Sequence, residues 1–147
     1  MAVGSGQLPV LHVVAGFKLG IASAGIKKPG RLDLVVMELA PGSSVAAVFT
    51  KNAFCAAPVQ LSKKHLQLSL RQHLQQQAPR YLLTNTGNAN AGTGEPGLHN
   101  AQRTCDALAA LTNIDSAAVL PFSTGVIGEP LPVDKIVNAL PDALADL

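Results

Sequence analysis

The sequence predicts a layered domain of mixed α/β (α+β) class, a mixed sheet with helices packed on it. Three observations carry that expectation. Short runs rich in β-branched residues are bounded by glycine and proline. Longer segments repeat an apolar residue every third or fourth position. Strand-like runs lead into helix-like segments more than once.

The first element expected is a strand at 10–15, VLHVVA, ended by Gly16. IASAGIKKPG (21–30) reads as a loop closed by the turn signal Lys27-Lys28-Pro29-Gly30. RLDLVVMELA (31–40) is a strand, and SSVAAVFTKN (43–52) is expected to pair with it as a hairpin across Pro41-Gly42. A third strand is expected around Val59–Leu61.

SKKHLQLSLRQHLQQQ (62–77) opens on a serine cap and carries Leu66, Leu70 and Leu74 on one stripe, which predicts an amphipathic helix closed by Pro79. RYLLTN (80–85) is a buried strand followed by the loop TGNANAGTGEPG. Residues 98–112 are helical, and AAVLPF (117–122) is a further strand. The segment from Pro130 starts a last helix, with Pro132 tolerated in its first turn and Pro141 a break. The chain ends at Leu147 within a helical pattern, which reads as an interrupted polypeptide: a single domain over 1–147 that is an incomplete part of a larger protein.

Composition narrows the function. With no Trp, one Tyr and four Phe, the core must be built from close-packed Ala, Val, Leu and Ile. The net charge is +2 and the basic residues are scattered. Lys27-Lys28 and Lys63-Lys64 are the only basic pairs, and no aromatic residues interleave with them. That excludes a nucleic-acid footprint, which needs a clustered basic stripe and stacking platforms. No run reaches the 18 or so apolar residues of a membrane span, and the N-terminus lacks the basic region of a signal peptide. A soluble, cytoplasmic protein is expected. Cys55 and Cys105 form no disulfide framework and no metal-ligand spacing, so both are expected as buried, reduced thiols.

The usual acid–base residues point nowhere in particular. His65 and His73 fall on a lysine- and glutamine-rich helix whose solvated face explains them, His12 lies in the first strand, and His99 opens a helix. Residues 92–97, GTGEPG, match a dinucleotide fingerprint formally. However, six residues separate them from the preceding strand and Pro96 removes an amide, so the match is rejected. No metal site is expected.

Two loops remain. NTGNANAGTG (85–94) combines residues that tolerate left-handed backbone with side-chain amides that can be aimed into a cleft; an elaborate turn satisfies the same composition. In STGVIGE (123–129), AAVLPF brings the chain to a sheet edge and Ser-Thr-Gly is expected to turn it there. Gly125 lets backbone approach a ligand, and Thr124 adds a hydroxyl. An N–H and a hydroxyl side by side can bind the negative charge that develops on a carbonyl oxygen. A helix-capping turn before Pro130 is the alternative.

AGIKKPGRLDLVVMEL, VFTKNAFCAAPV, LLTNTGNANAGTG and VLPFSTGVIGEPLP resemble, in that order, the N-terminal part of the ornithine acetyltransferases, the bifunctional glutamate N-acetyltransferase family of arginine biosynthesis. The resemblance runs from about Gly16 to Pro132. It implies the layered fold shared with self-processing N-terminal-nucleophile aminopeptidases. It also implies a precursor that cuts itself before a threonine, which becomes the nucleophile of a second, β chain. That threonine takes acetyl from N2-acetylornithine and passes it to glutamate; in part of the family acetyl-CoA is also a donor, and no cofactor is implied.

The matching Thr-Gly pair, Thr124 and Gly125, is then the oxyanion hole, and Asn88 and Asn90 are expected to shape the pocket wall. The expected assembly is an α2β2 heterotetramer. The family's Thr-Thr-Asp and Lys-Gly-Ala segments and its nucleophile are absent here, so this chain alone is expected to be inert, with one face of its core uncovered. A self-processing aminopeptidase and a fragment that only binds its partner chain are the alternatives. Lys27-Lys28 and STGVIGE favour the acetyltransferase.

Overall fold

The computed structural model describes residues 10, 12–71 and 78–147. Four strands, β1 (Phe17–Ala22), β2 (Leu34–Leu39), β3 (Tyr81–Asn88) and β4 (Val119–Val126), form one sheet in the order β1-β2-β3-β4. The first two pairings are antiparallel and β3–β4 is parallel. Among the described residues there are three α-helices, α1 (Ala57–Arg71), α2 (Gly94–Thr112) and α3 (Val133–Ala145), and a short 3-10 helix at Ser116–Ala118. The mixed α/β class read from the sequence is the one observed.

Alternation along the strands decides which face is covered. Leu34, Val36, Leu83 and Val119 are buried and join Ala101, Cys105 and Leu108 of α2 and Ile136 and Leu140 of α3 in one core. Burial of each large side chain contributes roughly 1.5–3 kcal/mol. The small residues do their part as well. A side-chain carbon added at Gly20 would collide with the Ala143 carbonyl, so glycine there is what lets α3 lie directly on β1. The opposite face is open, with Leu19 47% and Phe122 43% exposed and Val35, Met37 and Leu82 half-covered.

At the β4 edge α1 takes the place of a further strand. His65 Nδ1 donates to the Val119 carbonyl at 2.7 Å, and Ser62 Oγ donates to the Pro121 carbonyl at 2.9 Å. Proline within a strand fits this border, because no partner strand needs its missing N–H. His65 is only 2% exposed, so the solvated helix face expected for it is corrected. The expectation for His73 lies outside the described residues.

Several boundaries differ from the expected ones. Positions 12–14 are exposed and outside any strand; Gly16 (φ +80°) does not end a strand but turns the chain into β1. Leu11 lies outside the described residues. The expected 31–40 strand begins only at Leu34, because Asp33 is used for a turn: its carboxylate accepts the amides of Ala24 and Ile26, both at 2.7 Å.

Residues 43–52 form no hairpin. Pro41-Gly42 does turn, but β2 already has β1 on one side and β3 on the other, which leaves no edge to pair with. Val59–Leu61 lies in the first turns of α1, not in a strand. There the packing of Leu61 and Leu66 against the core overrides local β preference. Residues 72–77 of the predicted helix fall outside the described residues. Pro141 does not break α3. Ile136, Leu140 and Ala143 are buried on both sides of it, and that burial outweighs the roughly 3 kcal/mol an internal proline costs.

Candidate active site

β3 and β4 do not stop where the sequence suggested. Ser123, Thr124 and Gly125, expected in a turn, continue β4 beside β3 as far as Val126. The register runs regularly from Tyr81↔Val119 to Gly87↔Gly125 and then slips, with Asn88 opposite both Thr124 and Val126. The slip has a steric origin. Gly87 and Gly125 carry φ of +95° and +137°, a range open to glycine. A side-chain carbon on Gly125 would land on the Gly87 carbonyl carbon and 2.5 Å from the Asn88 amide nitrogen. The two backbones touch where side chains would otherwise keep them apart.

Thr124 and Gly125 sit at this bulge, both exposed. Thr124 pairs with Thr86 across the strands and shares the open side of the sheet with Phe122. Next to it a cavity of about 310 Å³ is lined by Phe49, Pro58, Val59, Leu120, Phe122 and Ser123. Its wall is mostly apolar, and nothing in the sequence pointed to it because Phe49 and Phe122 are brought together only by the fold.

Asn88 ends β3 and Asn90 lies in the loop that follows. Asn88 Nδ2 donates to the carbonyls of Glu129 and Pro130, at 3.2 and 3.1 Å, and its Oδ1 accepts the Asn90 amide at 2.8 Å. Asn90, at φ 45°, donates from Nδ2 to the Gly97 carbonyl at 2.9 Å and accepts from the Thr93 hydroxyl at 2.9 Å. Both side chains are buried and hydrogen-bonded to neighbouring protein groups. They fasten the segment after β3 to the segment after β4 and to the start of α2.

Lys27 adds a clasp from a third direction. Its Nζ donates to Glu129 Oε2 at 2.6 Å, and its stem lies over Gly87. Both side chains are substantially exposed, so the pair contributes at most about 1 kcal/mol and acts as a tether.

Sequence reasoning missed Asn85. It is 4% exposed, accepts from Ser123 Oγ at 2.6 Å and donates to the Asn88 carbonyl at 2.9 Å. Asn85 closes the expected buried strand 80–85 and also opens the expected loop 85–94, and neither reading gives its side chain a role. Among the described residues no group of three or more His, Cys, Asp or Glu comes together, and no helix is long and apolar enough to cross a membrane.

Fold and site together define a layered α/β domain that presents a hydroxyl and a glycine backbone at the bulged end of two parallel strands. The chain belongs to the ArgJ family, whose defining pattern matches residues 18–147. It is 67% identical over 147 residues to the arginine biosynthesis bifunctional protein ArgJ of Pseudomonas syringae pv. tomato, a match that covers all of this chain and 34% of that protein. To the protein of the same name from Methylococcus capsulatus it is 54% identical over 134 residues, 91% of this chain and 31% of the relative. The chain thus spans about a third of the length of the curated relatives it matches.

Two solved structures share the fold. One is the ornithine acetyltransferase of Mycobacterium tuberculosis in complex with ornithine (TM-score 0.78, 33% identity, 90% of this chain and 67% of that one). The other is the arginine biosynthesis bifunctional protein ArgJ of Bacillus halodurans (TM-score 0.74, 30% identity, 90% and 70%).

Proposed function

We propose that this chain supplies the oxyanion-binding part of an acetyltransferase that moves acetyl from N2-acetylornithine to glutamate in arginine biosynthesis. Family membership supports the activity. The observation that carries the site is the exposed Thr124–Gly125 pair at a bulge only glycine can occupy. In this reading the nucleophile is a threonine at the start of a β chain released by self-cleavage of a common precursor, and the working assembly is an α2β2 heterotetramer. The β chain also covers the open face of the sheet. Without it, the chain described here has no nucleophile and is inert.

The chemistry then assigns Thr124 and Gly125 one task, used twice. As the threonine oxygen adds to the acetyl carbonyl, the carbonyl oxygen takes up negative charge. The Thr124 hydroxyl and the Gly125 N–H donate to it. Collapse expels the ornithine amine, which leaves with a proton, and acetyl-threonine remains. The glutamate amine adds to that ester, the same donors hold the second oxyanion, and N-acetylglutamate departs as the threonine hydroxyl is restored. Acetyl-CoA can enter as donor at the first step through the same oxyanion, with a thiol as leaving group.

The test is Thr124→Ala in the full product of the gene, assayed for acetyl transfer from N2-acetylornithine to glutamate. Removing one oxyanion donor is expected to lower kcat by roughly 10²–10³. A variant with the full rate would sink the assignment. N-terminal sequencing of the purified protein checks the processing: a copurifying chain that begins with threonine is expected.

A further inference from the structure

The helix-facing side of β3 reads Tyr81, Leu83, Asn85: two apolar residues and then an amide, where the pattern of the sheet calls for a third apolar side chain. Asn85 shares its surroundings with Leu83, Leu131 and Ile136. Burying an amide there without partners costs about 1–3 kcal/mol, and leucine would avoid that cost. Two bonds offset it, and both reach the bulge. Asn85 Oδ1 receives the hydroxyl of Ser123, the residue immediately before Thr124, and Asn85 Nδ2 holds the carbonyl of Asn88, the residue immediately after Gly87. One side chain therefore grips both strands on either side of the Gly87–Gly125 contact.

We infer that Asn85 and Ser123 are positioning residues for acetyl transfer: they fix the backbone that aims the Thr124 hydroxyl and Gly125 N–H at the oxyanion. The inference rests on the reading of that pair given above. Neither residue needs to touch substrate. Thr124 and Gly125 are consecutive on β4, so their aim is set by the local backbone of the bulge, which depends on how β4 lies against β3, and the register has already slipped at Asn88. Because the ladder is irregular there, its alignment depends on the side-chain bridge. Displacement of catalytic groups by about 1 Å costs up to 10²-fold in rate.

The decisive variant replaces both partners with apolar groups, Asn85→Leu/Ser123→Ala, in the full product of the gene. Removing both ends of the Asn85–Ser123 bond is nearly neutral for stability, whereas the Asn88 carbonyl loses the Asn85 amide as a donor, a modest cost. The expected result is a modestly lower thermal midpoint with the fold retained, kcat down by about 10-fold or more, and KM for N2-acetylornithine changed by less than about two-fold. Placed in the Thr124→Ala background, the same pair should cost much less, because groups that act through one donor are non-additive. Ser123→Ala alone, expected to slow kcat in the same direction, keeps the test open if the double variant does not fold.

A double variant with wild-type kcat, beside a Thr124→Ala enzyme slowed about 100-fold, would reduce Asn85 and Ser123 to structural residues and leave the oxyanion reading intact. Equal costs in both backgrounds would do the same. Full activity of Thr124→Ala itself would remove the reading on which the inference stands.

Discussion

β3 and β4 run side by side for eight residues each, and their two halves are built on opposite rules. From Tyr81 to Thr84, opposite Val119 to Phe122, the strands are regular; Leu83 and Val119 are buried beneath helices. From Asn85 to Asn88, opposite Ser123 to Val126, amides, hydroxyls and glycines replace the apolar residues and the register slips. The first half is held by burial, which is non-directional and tolerates exchange among residues of similar volume. The second half is held by a few directional bonds and one backbone contact, which tolerate almost nothing. Attaching the second to the first gives an irregular end a rigid base, so the exposed Thr124 and Gly125 need no side-chain packing of their own.

The contrast is open to experiment in the full gene product. The largest effect is expected at the bulged end. Gly125→Ala drives a carbon into the Gly87 and Asn88 backbone, where no flexible side chain can give way. Acetyl transfer should fall by more than roughly 10³-fold, beyond the loss of one oxyanion donor, with a lower thermal midpoint. An enzyme within tenfold of wild type would mean that the bulge is soft.

Leu83→Ala probes the regular end. It should cost about 2–5 kcal/mol in urea unfolding while the kcat of the folded fraction stays unchanged; a kcat defect would show that the halves are not separable. Asn90→Ala comes next. It removes the Asn90 bonds to the Gly97 carbonyl and from the Thr93 hydroxyl for about 1–3 kcal/mol, read by the same unfolding assay.

The smallest effect is a pH dependence of the core that backs the regular half. Burial, and then the charge of Asp106, push the Cys105 thiol from 9.0 up to about 12, against a smaller lowering by Thr104. The folded protein therefore keeps a proton that the unfolded chain gives up from about pH 9. Stability from this source is intact below that pH and is lost as pH rises toward 12. Burial and the neighbouring Glu38 raise Tyr81 in the same direction. The urea midpoint should decline between pH 8 and 10.5, and Cys105→Ala should flatten the decline. A slope unchanged by that substitution would assign the alkaline loss elsewhere.

The same division explains what could be read from the sequence. β2, β3, β4, α2 and α3 were legible because an apolar run or a helical period is a local signal. The 43–52 hairpin was not, because whether a turn leads to pairing depends on how many edges β2 has free, and that is settled by β1 and β3. His65 looked solvated because its acceptor, the Val119 carbonyl, lies 54 residues away. At the proposed site, Thr124 and Gly125 could be singled out as a hydroxyl beside a glycine after a buried run, with the family resemblance supplying their role, but the turn expected there is a continuation of β4. Asn85 could not, since nothing in NTGNAN separates the amide that faces the core from those that shape the loop.

The contact between Gly87 and Gly125 also constrains how such a sequence can change. Each glycine is required by the backbone conformation at its own position, and Gly125 also by the presence of its neighbour. No single substitution at Gly125 makes a viable intermediate, because relief would require β3 to move away first, and that movement would undo the bulge. Selection acting one residue at a time therefore meets a wall here, whereas the core beside it offers many neutral steps. In a saturation library, position 125 should stand out as a column without survivors, whereas buried positions of the regular half such as Leu83 should accept several apolar residue types.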